Sequence, residues 1–198
     1  MNLPNTICAK VDVTNTNDFN ESVKNAEEIN GRVDLLVNNA GVMLLGQIDT
    51  QDPSEWTRTF NVNVLGLLNG MKSVLGSMKE RRSGSIINIS SIAGRKSFPN
   101  HAAYVGTKFA ASSITENVRE EVAEFGVRVM NISPGAVETE LLSHTASDQI
   151  KAGYEDWKED MGGVLSASNI ADTASFLYSQ PQSVTIREVL IAATKQQP

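Results

Sequence analysis

Tyr104 and Lys108 stand four residues apart in the stretch "AAYVGTKFAAS". On a helix that spacing puts a phenol and an ammonium one above the other on a single face. Most of their neighbours are small, as suits a helix packed close against something else. A free tyrosine has a pKa near ~10 and exchanges protons poorly at neutral pH. Lowering it by ~3 units takes ~4 kcal/mol of preference for the phenolate. One ammonium about 4 Å away supplies roughly that at an effective dielectric of ~20. The pair therefore reads as a general acid/base, Tyr104, tuned by Lys108. Ser91, at the end of an upstream apolar run, has a hydroxyl suited to holding a substrate oxygen against the phenol. Asn63, in "FNVNVLG", lies inside a helical stretch where asparagine is a poor choice. Its amide is expected to hold a water that connects Lys108 to solvent. Each of these residues alone has an ordinary structural explanation; the ordered set carries the argument.

The elements that must position them alternate along the chain. Apolar runs at 6–13, 33–41, 84–94, 127–135 and 188–193 read as strands. Amphipathic stretches at 18–30, 54–82, 100–125 and 168–179 read as helices, with Ser54 as an N-cap and Gly31 and Gly126 as stops. Strands apolar on both faces and separated by helices predict an α/β fold with a parallel, doubly wound sheet. With no repeat, low-complexity tract or linker, residues 1–198 read as one domain. In such sheets ligands bind beyond the carboxyl ends of the strands. Small and amide residues gather there: Asp12-Val13, Asn38-Asn39-Ala40-Gly41, Ser90-Ser91 and Ser133-Pro134-Gly135.

Composition narrows the function classes. The net charge of -6 argues against a nucleic-acid or general phosphate surface. The basic run "KERRSG" ends a helix, where cations favour the C-terminal dipole. One cysteine, Cys8, builds no disulfide framework and suits a reducing cytoplasm. The N-terminus has no secretory pattern, and no 18-residue apolar stretch predicts a membrane span. His101 and His144 are the only histidines and neither adjoins other ligand-type residues, so no metal site is expected. Leu141, Leu142, Tyr154, Trp157 and Leu165 read as an apolar lid or ordinary core, beside the loop residue His144.

The ordered motifs "VDV", "NNAG", "NVNVLG", "INISSIAG", "YVGTK" and "SPGAVETE" resemble the short-chain dehydrogenase/reductase family. The resemblance implies a catalytic tetrad of Asn63, Ser91, Tyr104 and Lys108. Tyr104 exchanges a proton with the carbinol oxygen, Ser91 orients it, Lys108 binds the nicotinamide ribose, and Asn63 holds a relay water. It further implies cofactor contacts: Asp12 and Val13 at the adenine, Asn39, Ala40 and Gly41 along the ribose, and Pro134, Gly135, Val137 and Thr139 at the nicotinamide. The implied cofactor is NADP or NAD, with NADP favoured by the tail "SVTIREVLIAATKQQP". The implied substrate is a small carbonyl or alcohol. A homo-oligomer is implied on the two long helices, where small residues around Gly66 and Gly70 and around Ala110 to Ser113 permit close approach. Sugar-nucleotide epimerases share the Tyr and Lys, but "NNAG" and the short C-terminal region fit the reductases better.

Two departures stand out. Gly106 replaces the usual alanine or serine, a mild change. The family also opens with a strand and a TGxxxGxG loop that cradles the pyrophosphate at a helix N-terminus, and the 14 glycines here include no such cluster. The expectation is a Rossmann-like sheet lacking the first two family strands, with on the order of 50 residues missing, since one βαβ unit takes ~30. The family sheet order, 3-2-1-4-5-6-7, then leaves the strand at 6–13 without its neighbour. It is expected to pair directly with 33–38, to pair with another chain, or to leave the fold poorly stable. Weaker cofactor binding is expected in each case. The alternative to an active oxidoreductase is a catalytically idle member that acts through oligomerisation.

Overall fold

The computed structural model describes residues 6–196. Their elements run α1 (Thr16–Asn30), β1 (Leu35–Asn38), α2 (Pro53–Phe60), α3 (Gly66–Glu80), β2 (Gly84–Ile89), α4 (Ala102–Val122), β3 (Val127–Pro134), α5 (Asp148–Asp160), α6 (Ala167–Ser179) and β4 (Glu188–Ile191). A π turn, Asn61–Leu65, fuses α2 to α3 into one long helical stretch. The cap of that stretch is Asp52, which accepts from Ser54 N at 2.8 Å, and not Ser54 itself. Pro53 occupies the first helical turn, where its missing N–H costs nothing, so the cap falls one residue before it.

The four strands form one parallel sheet in the order β1-β2-β3-β4, the α/β architecture expected. Alternate residues face opposite layers. Ile86 and Val129 meet Met71 and Val74 of α3 and Ala111 of α4 on one face. Ile87, Met130 and Ile132 meet Leu177 of α6 on the other. Burying each of these large side chains contributes about 1.5–3 kcal/mol. Arg128, also on the α6 face, donates to Ser85 Oγ and to the carbonyls of Tyr178 and Gln180. A cation thereby closes the C-terminal end of α6, where it complements the helix dipole.

Residues 6–13 form no strand. Among the described residues no strand lies on the outer side of β1, so the segment has no ladder to join. None of the direct pairing to 33–38 occurs. Instead the segment's end is tied to α3: Asn69 Nδ2 donates to Val13 O at 3.0 Å, and Asn69 Oδ1 accepts from Thr16 Oγ1 at 2.9 Å. Gly66 and Gly70 permit close contacts within the chain. A Cβ at Gly66 would lie 2.8 Å from Val13 Cγ2, and one at Gly70 would lie 2.2 Å from Asn38 Oδ1.

β1 is consequently an edge, and Val37 is 41% exposed on the α6 side of the sheet. Among the described residues no helix is long and apolar enough to cross a membrane.

The two glycines of α3 that differ in surroundings give a matched test. Gly70→Ala must displace the Asn38 amide, which is bonded to Asn88 Oδ1 at 2.8 Å, and should cost about 1–3 kcal/mol in urea unfolding. Gly76→Ala meets nothing within 4 Å and should stabilise by about 0.5–1 kcal/mol. Equal shifts of both variants would contradict the packing described.

Candidate active site

The site is assembled where the start of α4 meets the end of β2. Ser90 Oγ donates to Lys108 O at 3.0 Å and lies 2.9 Å from Ser112 Oγ. The short 3-10 helix Ile92–Gly94 passes so close that a Cβ at Gly94 would lie 2.8 Å from the same Lys108 carbonyl. This docking brings the next residue of the strand end, Ser91, to the first turns of α4. The Ser91 hydroxyl comes close enough to the Tyr104 phenol to favour its phenolate, and it donates to Pro134 O at 3.5 Å. It also accepts from Ala93 N at 3.1 Å, which fixes its rotamer.

Tyr104 and Lys108 are buried, 6% and 8% exposed. Lys108 Nζ donates to Ile89 O at 3.0 Å and lies 5.6 Å from the Tyr104 ring centroid. The ammonium thus sits under the ring, one turn along, as the spacing predicts.

Its electrostatic effect differs from the expectation. Burial raises the Tyr104 phenol well above its ordinary value; the Ser91 hydroxyl opposes this and the nearby Tyr154 adds to it. Burial likewise lowers Lys108 to about 8. Desolvation disfavours both charged forms and outweighs the attraction that the sequence argument assigned to one ammonium.

Asn63 is buried in the π turn. Its Oδ1 accepts from Val42 N at 2.8 Å, and its Nδ2 donates to Val42 O at 2.9 Å and to Thr107 Oγ1 at 3.1 Å. Both amide protons are therefore committed to protein, and the side chain ties the loop after β1 to α4. The π turn explains how asparagine sits there: the backbone widens and the amide faces the neighbouring loop instead of solvent.

A cleft of about 1770 Å³ opens over these groups. Asn39, Ala40, Gly41, Ser91, Tyr104, Lys108, Pro134, Gly135, Val137 and Thr139 all lie in its walls. It continues along the α6 side of β1 past Leu35 and Val37. Asp12 and Val13 are not among its walls. Asp12 is turned to Thr14, accepting from its N at 2.9 Å and its Oγ1 at 2.7 Å. Without a strand at 6–13, nothing directs these two residues toward the cleft.

The nicotinamide half of a dinucleotide fits these walls. The buried Lys108 ammonium has protons beyond the one given to Ile89, and the Asn39-Ala40-Gly41 and Pro134–Thr139 segments flank it.

Several residues that brace or line the walls were not read from the sequence as part of the site. Gln196 Oε1 accepts from Ala136 N at 3.0 Å, and a Cβ on Gly135 would lie 2.2 Å from that oxygen. Thr145 bridges Met43 O and Leu45 N at 3.0 and 3.2 Å. Phe98 and His101 stack near Tyr104. The stretch "SFPNHAAY" carried that last signal in its aromatic spacing; the other two are long-range contacts with no local signature. Of the five residues read as a lid or core, Leu141, Leu142, Tyr154 and Trp157 line the cleft, on the 3-10 turn Glu140–His144 and on α5, whereas Leu165 does not and pairs with Val137.

The Lys108 shift fixes a pH dependence. The folded chain releases this proton near pH 8, the unfolded chain near 10.5. Between those values the unfolded state binds more protons, so stability rises with pH. Tyr104 acts in the opposite sense above pH 10, where the folded chain retains a proton that the unfolded one loses. In thermal unfolding between pH 8 and 10, the native chain should gain stability, and Lys108→Met should abolish that gain. A gain that persists in the variant would show that another group is responsible.

Residues 2–150 match the model of the short chain dehydrogenase family. An uncharacterized oxidoreductase of Staphylococcus saprophyticus is 35% identical over 189 residues, 94% of this chain and 76% of that protein. Among solved structures, the closed form of serine dehydrogenase complexed with NADP+ superimposes with a TM-score of 0.85 at 26% identity, over 96% of this chain and 77% of that one. A gluconate 5-dehydrogenase from Burkholderia cenocepacia, in complex with NADP and tartrate, gives a TM-score of 0.80 at 28% identity, over 91% and 71%. The chain spans about three quarters of the length of these relatives. Matching the family through most of its sequence, and sharing the parallel sheet of the solved oxidoreductases, the chain belongs to the short chain dehydrogenase family.

Proposed function

We propose that this protein interconverts a ketone and an alcohol by NAD(P)-dependent hydride transfer, with Tyr104 as the general acid/base. The observation that carries the reading is the meeting of Ser91 with the buried Tyr104 and Lys108 in the wall of one cleft at the strand ends. When bound, the nicotinamide supplies the hydride to the carbonyl carbon. In reduction the Tyr104 phenol gives its proton to the carbonyl oxygen, and in oxidation it takes the proton back. Its raised pKa keeps the proton in place until the oxygen gains charge.

The Ser91 hydroxyl, beside the phenol, orients the same oxygen. Lys108 holds the nicotinamide ribose, and its ammonium compensates the phenolate in a site sheltered from water. Asn39, Ala40 and Gly41 line the ribose side; Pro134, Gly135, Val137 and Thr139 face the nicotinamide amide. Asn63 acts as a positioning residue through Val42 and Thr107. NADP is the favoured coenzyme, a reading supported by the NADP in the serine and gluconate dehydrogenase structures. The lone cysteine suits a cytoplasmic setting.

A homo-oligomer is part of the reading. Phe60, Leu65, Leu68 and Phe109 are exposed on the two long helices that the resemblance assigns to the interface.

The open edge of β1 favours one second reading, a catalytically idle member acting through assembly with other chains. NADPH titration separates the two, because submillimolar binding counts against idleness. NADPH oxidation with a panel of small carbonyls then tests the role of Tyr104. Tyr104→Phe should lower kcat by about 10²–10⁴-fold while leaving the NADPH Kd within a few-fold. Equal rates for the two proteins would end the proposal.

A further inference from the structure

We propose that the substrate is an uncharged, aryl-bearing or similarly apolar ketone, or its alcohol, and not a hydroxy or oxo acid. The inference deepens the reading above and rests on its placing of the substrate oxygen at Tyr104 and Ser91.

The walls around the phenol are apolar. Met43, Leu45 and Leu142 are buried with Tyr104 in one cluster, and Phe98 and Tyr154 pack on it. A continuous array of rings leads outward from the phenol. His101 lies 6.3 Å from Tyr104 in an edge contact and 6.3 Å from Tyr154. Tyr154 meets Trp157 at 5.3 Å and 63°. Such edge-to-face surfaces accept another ring at similar spacings. Because Tyr154 belongs to α5, a ring seated beside Tyr104 is enclosed by the lid helix.

The charges of the cleft point the same way. Of the lysines and arginines among the described residues, only Lys108 and Lys158 line it. Lys158 is committed to Glu138 at 2.9 Å and Glu155 at 2.8 Å. Lys108 gives one proton to Ile89 O beneath the phenol ring, and its others are committed to the nicotinamide ribose in the function proposed above. His101 Nδ1 lies 2.6 Å from Pro99 O, and burial lowers its pKa, so it offers no cation. His144 is exposed. The remaining charged wall residues, Asp52 and Glu55, are themselves anionic; Asp52 caps α2 and Glu55 accepts from Gln51. A carboxylate carried in beside Tyr104 would lose its water and gain no ion-pair partner, which burial penalises heavily.

Acetophenone and phenylglyoxylate form a matched pair, since both are phenyl ketones and differ by a methyl against a carboxylate. Their binding to the full chain at pH 8, with NADP+ present in place of NADPH so that no hydride can pass to the ketone, is measured by ligand-observed NMR. Acetophenone should bind at least tenfold more tightly. Tyr154→Ala should weaken acetophenone at least fivefold. Leu141→Arg, which adds a guanidinium to the wall, should bring the two Kd values to within about twofold or invert them. No binding of acetophenone, or phenylglyoxylate binding as tightly to the native chain, overturns the inference. Binding is read without turnover. A chain that binds acetophenone but oxidises NADPH with no carbonyl refutes the function proposed above and leaves this inference standing. Preferential turnover of oxo acids does the reverse.

Discussion

The hydrogen bond from Ser90 Oγ to the carbonyl of Lys108, with Gly94 pressed against the same carbonyl, sets the distance between α4 and the end of β2. A side chain at position 94 would push the helix away, because its Cβ would stand 2.8 Å from the Lys108 carbonyl and the Ser90 hydroxyl and 2.9 Å from that of Ser112. With the helix this close, Ser91 reaches the Tyr104 phenol and Lys108 reaches the Ile89 carbonyl. Residues brought together from different elements thus share one small volume without a loop to hold them. Asn63 extends the constraint to the loop after β1, since its amide spans Val42 and Thr107.

That same proximity creates an electrostatic tension. Tyr104 and Lys108 are buried together, and desolvation pushes each toward its neutral form. A neutral phenol is the acid that carbonyl reduction requires, and the neighbouring ammonium matters most once the phenol has given up its proton. The two shifts are therefore compatible with one proton-transfer site, although their direction at Tyr104 is opposite to what pairwise attraction alone suggests. The large apolar cleft contributes to both, because the walls that receive a substrate are the walls that exclude water.

Much of the fold was legible locally. The helix read at 18–30 forms at 16–30 and stops at Gly31 as expected, and the strands at 84–89 and 127–134 fall within the mainly apolar stretches read for them. The pairing of Tyr104 with Lys108 follows from helical spacing, and the gathering of Ser91, Asn39 and Pro134 at one edge follows from parallel topology. The segment 6–13 reads just as well as a strand by pattern, yet forms none. A strand is made by its neighbour's ladder, and among the described residues β1 pairs only with β2, on the other side. Gly66 and Gly70 suggest helix-to-helix approach by their spacing, while the contacts they permit are to Val13 and Asn38.

By itself the sequence determined which residues could do chemistry, the order of the elements that carry them, and the family to which they belong. These rest on interactions between residues within a turn or two of one another, or on motifs read in line. Only the tertiary structure decided that Tyr104 is held protonated, that both amide protons of Asn63 are committed to the protein, that Gln196 braces Gly135 and Ala136, and that the rings of Phe98, His101 and Tyr154 enclose the phenol. Burial and desolvation are set by everything that packs around a group, and most of those neighbours lie far away along the chain.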